Sequence, residues 1–202
     1  MVRVAVLVSG GGTNLQALLD AQDKGELGAA QITYVVSNRK AAFALERAKN
    51  HNVETGVLSK VMQPDPLKYD EQLHDMLVAH DIDMIVLAGF LGILGEKVLE
   101  RYSNKIVNIH PALIPSFCGK GFYGLRVHEE VLKRGCKVTG ATAHLVTAGV
   151  DEGPILLQKA VDVLPGDTPE ILQKRVMEQA EWILLPQAAE DISAKIAKEK
   201  EV

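Results

Sequence analysis

A short segment in the middle of the chain places an amide and an imidazole two residues apart. Asn108 follows a pair of apolar residues, one further residue separates it from His110, and Pro111 comes directly after the histidine. Residues i and i+2 of a strand share a face, so both side chains are expected to project together from a strand that the proline ends. An amide donor beside an imidazole suits the stabilisation of a developing oxyanion. A buried histidine satisfied by a backbone carbonyl remains the alternative.

A carboxylate and a second histidine could join this pair. Asp151 lies in an Asp-Glu-Gly-Pro turn, and if folding brings it to His110, its charge would raise the pKa of the imidazole. The commoner role of a turn aspartate is to bond its own backbone. His144 could complete a metal triad, but neither HExxH nor close His-x-His spacing is present, and we expect no metal. The other histidines are expected at the surface: His51, His74, His80 and His128.

A glycine-rich loop follows the first apolar run of the chain. Residues 9–14 read Ser-Gly-Gly-Gly-Thr-Asn, and backbone amides at the start of a helix favour anions. Thr13 and Asn14 add side-chain donors. No Gly-Lys-Ser/Thr follows, and Leu15 replaces the third glycine of a dinucleotide fingerprint. The loop predicts a small phosphate ligand, with a tight turn that binds nothing as the alternative.

Strands and helices alternate along the first half of the chain, and these elements must position the polar residues. Apolar runs predict strands at 3–9, 32–37, 53–58, 84–88 and 106–109, and helical spacing predicts helices at 14–22, 41–51, 69–80 and 95–102. The pattern then becomes a helix at 124–134, strands at 139–146 and 155–163, and a helix from 169 to about 185, before Pro186. This order predicts an α/β fold: a doubly wound, mostly parallel sheet with a mixed C-terminal extension.

Composition bounds the class of protein. The 202 residues are 47% hydrophobic and 24% charged, with a net charge of −4, which predicts one globular domain over 1–202. An acidic chain is a poor partner for long nucleic acids, and no apolar run approaches the ~20 residues of a membrane span. The two cysteines, Cys118 and Cys136, form no CxxC pair, which fits a reducing cytoplasm.

Taken together, these segments resemble the folate-dependent formyltransferases, and above all the phosphoribosylglycinamide formyltransferases. The resemblance covers nearly the whole chain in the same order. The matching segments are VSGGGTNLQA at 8–17, VSN at 36–38, LAGFL at 87–91, NIHPALIP at 108–115, TGATAH at 139–144, DEGPI at 151–155, and Glu181 with Pro186. The Asn-x-His-Pro and Asp-x-Gly-Pro pair is typical of the folate enzymes, and the glycine loop is typical of the glycinamide ribonucleotide branch.

The resemblance implies a formyl transfer in purine synthesis. The amine of 5'-phosphoribosylglycinamide would attack the formyl carbon of 10-formyltetrahydrofolate, the co-substrate. Asn108 and protonated His110 would stabilise the tetrahedral oxyanion. Asp151 would charge His110 and relay a proton, through water, to the departing N10.

The resemblance also implies two binding regions, a phosphate-binding half at about 1–105 and a catalytic and folate-binding half at about 106–202. Gly12, Thr13 and Asn14 would bind the phosphate, and Glu181 would lie near the ribose. The folate site would comprise Phe90, Leu91, Gly92, Ile93, Leu94 and Asn108. Residues 117–125 would form a mobile loop over the site. The expected partners are these two small molecules, with neither nucleic acid nor membrane, for a cytoplasmic monomer or homodimer.

The sequence departs from the family at three positions. Gly92 stands where the family usually has an arginine after Gly-Phe-x, and Pro66 stands near its folate-tail arginine, where Lys68 could substitute. Ala112 replaces the serine of His-Pro-Ser. We therefore expect the reacting groups to be retained and the hold on the folate tail to differ.

Three alternatives differ from this interpretation. A methionyl-tRNA formyltransferase would share the folate motifs, but is expected to carry a further C-terminal domain and a basic surface. A non-catalytic sensor of phosphorylated nucleotides would use the glycine loop without needing Asn108, His110 and Asp151. A nicotinamide-dependent reductase is disfavoured by Leu15 and by Asn38, which stands where an acidic ribose ligand would follow the second strand.

Overall fold

A computed structural model describes residues 1–201 and confirms the predicted α/β class. Its single sheet has seven strands in the order β3-β2-β1-β4-β5-β6-β7. The strands are β1 Val2–Val8, β2 Ala30–Ser37, β3 Glu54–Val57, β4 Met84–Leu87, β5 Ile106–His110, β6 Val138–Leu145 and β7 Ile155–Asp162. Strands β1 to β5 pair in parallel. Strand β6 pairs antiparallel with β5 on one side and with β7 on the other, which makes the C-terminal part of the sheet mixed.

Helices connect the strands on both faces of this sheet. They are α1 Thr13–Asp23, α2 Ala44–Asn50, α3 Pro66–Ala79, α4 Glu96–Arg101, α5 Leu125–Lys133, α6 Pro169–Val176 and α7 Trp182–Lys200. A π-helical turn, Met177–Glu181, joins α6 to α7. Thr168 caps α6 and Pro169 is its first residue, as the sequence predicts.

The central strands are buried on both faces because their side chains alternate between two hydrophobic cores. One core, on the side of α1 and α7, contains Val2, Val4, Val6 and Val8; the other, on the side of α3 and α4, contains Ala5 and Leu7. Continuous apolar runs are the pattern expected of parallel strands covered on both sides. The carboxyl ends of β1, β4 and β5 therefore lie at one edge of a rigid sheet.

The predicted end of the last helix is wrong. The helical path does not stop before Pro186 but continues through it to Lys200. A proline inside a helix removes one hydrogen bond and costs ~3 kcal/mol. Beyond the proline, α7 buries Ala188, Ala189, Ile192 and Ile196 against the sheet, and this burial offsets the cost. The predicted surface position of His128 is also wrong, because its side chain is fully buried on α5.

Candidate active site

The sequence-predicted polar residues meet at the carboxyl edge of the sheet, around a cavity of about 640 Å³. Open α/β sheets bind ligands at this edge. The lining includes residues from both halves of the chain, among them Asn14, Asn108, His110, Asp151 and Glu181. Residues 119–124 of the predicted loop line the same cavity.

Asn108 is held by a histidine on the neighbouring strand. Asn108 on β5 lies directly opposite His144 on β6. The Asn108 Nδ2 atom donates to His144 Nε2 at 3.0 Å, and His144 Nδ1 donates to the Leu145 carbonyl at 2.9 Å. With its proton on Nδ1, the imidazole accepts through Nε2, so it fixes the amide. The second N–H of Asn108 is then available to a ligand in the cavity.

His110 is buried between two acceptors. Its Nε2 donates to the Phe117 carbonyl at 2.8 Å, and its Nδ1 lies 3.5 Å from Asp151 Oδ2. From the sequence, Asp151 is expected to raise the pKa of His110. It does so in part, but burial lowers this pKa by more, so the net shift is downward. Burial at this site therefore disfavours the imidazolium despite the two acceptors.

Asp151 reaches both histidines from the turn between β6 and β7. Its Oδ1 lies 3.6 Å from His144 Nε2, and its Oδ2 accepts from the Gly119 N–H at 3.0 Å. Burial raises the pKa of Asp151, but the neighbouring His110 and the Gly119 N–H lower it, and the net shift is downward. Asp151 also has a φ of 58°, a left-handed conformation that aspartate and asparagine tolerate best.

Two histidines, His110 and His144, thus converge on Asp151, and these three side chains do not form a metal site. Within residues 1–201, no group of three His, Cys, Asp or Glu side chains has an arrangement that could hold a metal ion. No helix among the same residues is long and apolar enough to cross a membrane.

The glycine loop brings the start of α1 to the π-helical turn. Asn14 Nδ2 donates to Glu181 Oε2 at 2.7 Å, across a sequence separation of 167 residues. Glu181 is buried, and burial raises its pKa to about 7, while the Asn14 hydrogen bond partly opposes the shift. Asn14 lines the cavity, whereas Thr13 is exposed beside it, with its hydroxyl 3.8 Å from Met177 Sδ.

The strip after β4 faces the cavity with one exception. Phe90, Leu91, Gly92 and Ile93 line it, and both Leu91 and Ile93 are exposed apolar side chains. The Leu91 N–H donates to the Ser9 hydroxyl at 2.8 Å, which ties this strip to the glycine loop. Leu94 instead packs into the core beside α3 and α4, so its side chain does not face the predicted folate site.

The basic side chains of the cavity are not those expected from the family pattern. Pro66 is the first residue of α3, and neither it nor Lys68 lines the cavity. Among the described residues, Arg39 and Lys120 are the arginine and lysine that line the cavity. Ala112, at the serine position, is buried, and its carbonyl accepts from the Thr142 hydroxyl at 2.7 Å.

The sequence does not predict the role of His144 as the partner of Asn108. It indicates this histidine as a possible metal ligand and as the last residue of the TGATAH segment. The signal was the antiparallel pairing of β5 with β6, which the printed sequence does not specify in register. Arg39 and Met177 were also not predicted as lining residues, although Arg39 directly follows the VSN segment at 36–38.

Comparison with known proteins agrees with this geometry. The model of the formyl transferase family matches residues 2–188. Phosphoribosylglycinamide formyltransferase of Haemophilus influenzae is 37% identical over 179 residues, which are 89% of this chain and 82% of that protein. The human trifunctional purine biosynthetic protein adenosine-3 is 38% identical over 95% of this chain, and the chain spans only 18% of its length.

Solved structures match over most of both chains. The crystal structure of glycinamide ribonucleotide transformylase 1 from Symbiobacterium toebii superposes with a TM-score of 0.90 and 39% identity, covering 96% of this chain and 89% of that one. The enzyme from Bacillus halodurans gives a TM-score of 0.86 at 33% identity, with 94% of each chain covered. From the match of the family model and these similarities, the chain belongs to the formyl transferase family.

Proposed function

We propose that this chain transfers the formyl group of 10-formyltetrahydrofolate to the amine of 5'-phosphoribosylglycinamide. One observation carries the proposal: Asn108, His110 and Asp151 converge in the cavity that Asn14 and Glu181 also line. An acyl-transfer site thus lies beside a loop suited to a phosphate. The similarity to phosphoribosylglycinamide formyltransferases supports the choice of substrate pair.

The reaction needs stabilisation of a tetrahedral oxyanion. The amine nitrogen forms a bond to the formyl carbon, and the carbonyl electron pair moves to oxygen. The unused N–H of Asn108 donates to this oxygen. His110 Nε2, which donates to the Phe117 carbonyl in the structure, donates to the oxyanion instead. An oxyanion is a stronger acceptor than a carbonyl and adds negative charge, so it raises the pKa of His110. His110 therefore takes up a second proton, on Nδ1 and from solvent water, as the intermediate forms, although burial disfavours that charge beforehand.

Collapse of the intermediate needs a proton on the leaving nitrogen. The bond from the formyl carbon to N10 breaks, and N10 takes up the proton that the attacking amine loses. Asp151 is ionised at neutral pH because its pKa is lowered. It lies against His110 Nδ1, where it holds the imidazole and accepts the amine proton, directly or through one water.

The two substrates approach along different elements. Gly12, Thr13 and Asn14 at the start of α1 bind the phosphate, and Glu181 accepts hydrogen bonds from the ribose hydroxyls. Phe90, Leu91, Gly92 and Ile93 contact the folate, and Arg39 and Lys120 are the cations of the cavity lining that can pair with its carboxylates. This assignment also makes the whole of 1–202 one functional domain, because β4 pairs with β5 across the boundary between its halves. We expect it to act on small molecules in the cytoplasm, as a monomer or homodimer.

A spectrophotometric assay tests this function. The protein is mixed with glycinamide ribonucleotide and a 10-formyl folate analogue whose absorbance changes on deformylation. Wild type should give turnover that His110→Ala abolishes, and methionyl-tRNA should not replace the ribonucleotide. If this protein gives no turnover while a related active enzyme, the positive control, does, the assignment is refuted. Formylation of methionyl-tRNA would favour a methionyl-tRNA formyltransferase.

A further inference from the structure

The glycine loop is held from behind by helix α2. The Ala44 N–H donates to the Gly10 carbonyl at 3.1 Å, and Arg47 Nε donates to the Gly11 carbonyl at 2.8 Å. Two successive carbonyls of the loop are therefore bonded to residues one turn apart on the same helix. The fit is close, because a Cβ on Gly12 would lie 2.6 Å from the Ala44 Cβ.

These two contacts decide where the loop's N–H groups point. In a trans peptide the C=O and the following N–H point in opposite directions. With the carbonyls of Gly10 and Gly11 turned toward α2, the N–H groups of Gly11 and Gly12 point away from it. On the open side of the loop, a Cβ added to Gly10 or Gly11 would meet nothing within 4 Å. The loop therefore presents two amides to a space that an anion can fill.

Arg47 is itself fixed in place. Its Nη1 donates to Gln16 Oε1 at 2.9 Å, and its guanidinium lies over the Phe43 ring, 5.1 Å from the centroid. Gln16 belongs to α1. The Arg47 side chain therefore links α2, to which it belongs, both to the carbonyl of the loop and to the helix that follows the loop. A flexible lysine ammonium cannot reproduce this planar fork.

We propose that Arg47 is a positioning residue for substrate phosphate, which orients the Gly12 N–H by holding the Gly11 carbonyl from the opposite side of the loop. The inference rests on the proposed function insofar as the anion is the phosphate of the ribonucleotide. The guanidinium also places a positive charge behind the anion without touching it. Its loss weakens ground-state and transition-state binding equally, which raises KM and leaves kcat unchanged.

Titration calorimetry with ribose 5-phosphate tests binding without needing turnover. Arg47→Ala should weaken the affinity about tenfold, as expected for a lost hydrogen bond to a charged group. Arg47→Lys should lie between Arg47→Ala and wild type. Lys49→Ala, on the exposed side of the same helix, is the matched control and should bind like wild type.

Steady-state kinetics separates positioning from a general structural effect. Arg47→Ala should raise the KM for glycinamide ribonucleotide about tenfold while kcat and the KM for the folate stay within about twofold. If Arg47→Ala unfolds, Arg47→Lys carries the same test. Equal ribose 5-phosphate affinity in wild type and the folded variant overturns the role of Arg47 but leaves the proposed phosphate site intact. Failure of wild type to bind ribose 5-phosphate overturns the inference together with the proposed phosphate site.

Discussion

Glu181→Gln should stabilise the protein at alkaline pH while weakening its hold on the ribose. Burial raises the pKa of Glu181 from 4.5 to about 7. Over that interval the folded carboxyl keeps its proton while the unfolded one has lost it. Its contribution to stability is therefore complete below about pH 4.5 and disappears as the pH rises through 7. At 1.36 kcal/mol per pKa unit, the cost of ionising the buried carboxyl at pH 8 is about 3 kcal/mol.

A glutamine avoids this cost and adds a donor. It can still accept from Asn14 Nδ2, and its amide can donate to Asn14 Oδ1, a buried atom that has no partner within residues 1–201. Denaturant unfolding of both proteins at pH 5 and pH 8 measures the effect. The variant should gain up to about 3 kcal/mol relative to wild type at pH 8, and much less at pH 5.

The matched control is Glu178→Gln, on the same π-helical turn but exposed to solvent. It should change the free energy of unfolding by less than about 1 kcal/mol at either pH. The same gain for Glu181→Gln at pH 5 as at pH 8 would refute the reasoning, because the difference would not then come from ionisation. The variant should also show a raised KM for the ribonucleotide, a trade of function for stability.

The remaining predictions concern the catalytic pair and a buried histidine. Asp151→Asn should lower kcat by roughly 10³–10⁴, by analogy with the loss of an orienting carboxylate in another acyl-transfer site, with the KM for the ribonucleotide nearly unchanged; equal kcat in steady-state assays contradicts its role. His144→Ala releases the Asn108 amide and should lower kcat roughly tenfold to a hundredfold, less than loss of the donor itself; no change in kcat means that the amide is held by other contacts. Burial, with a smaller contribution from the charge of His110, lowers the pKa of His128 to about 4, so wild-type stability should fall as the pH drops from 6.5 toward 4. His128→Leu should remove about 3 kcal/mol of this pH dependence, and unfolding curves of equal pH dependence in both proteins would show that His128 does not titrate on unfolding.

Local patterns predicted most of the fold because strands and helices are encoded by short-range periodicity. The buried strand before the glycine loop and the Thr168–Pro169 start of α6 lie where the sequence indicates. Pro186 misled the prediction, because a local rule for helix ends was overridden by apolar packing of α7 on the sheet. The predicted surface position of His128 was wrong for a related reason. Its polar type favoured the surface, yet its position on α5 faces the core.

The candidate site divides along the same line. Residue type and spacing predicted Asn108 and His110 on one strand face, because alternation in a strand is a property of adjacent residues. They also predicted the glycine loop before α1, because the exposure of amides at a helix start is likewise local. The sequence also supplied Asp151, but only as a turn residue that resembles a family motif.

Which groups meet, and how they are protonated, depends on the packing of segments that are far apart in the chain. The register of β5 against β6 places His144 on Asn108, the turn after β6 brings Asp151 to 3.5 Å from His110, and packing of the π-helical turn buries Glu181 against Asn14. Register, distance and burial depend on contacts between segments far apart in the chain, and pKa values follow from burial. Residue types thus determined the available chemistry, and long-range packing determined its geometry and protonation.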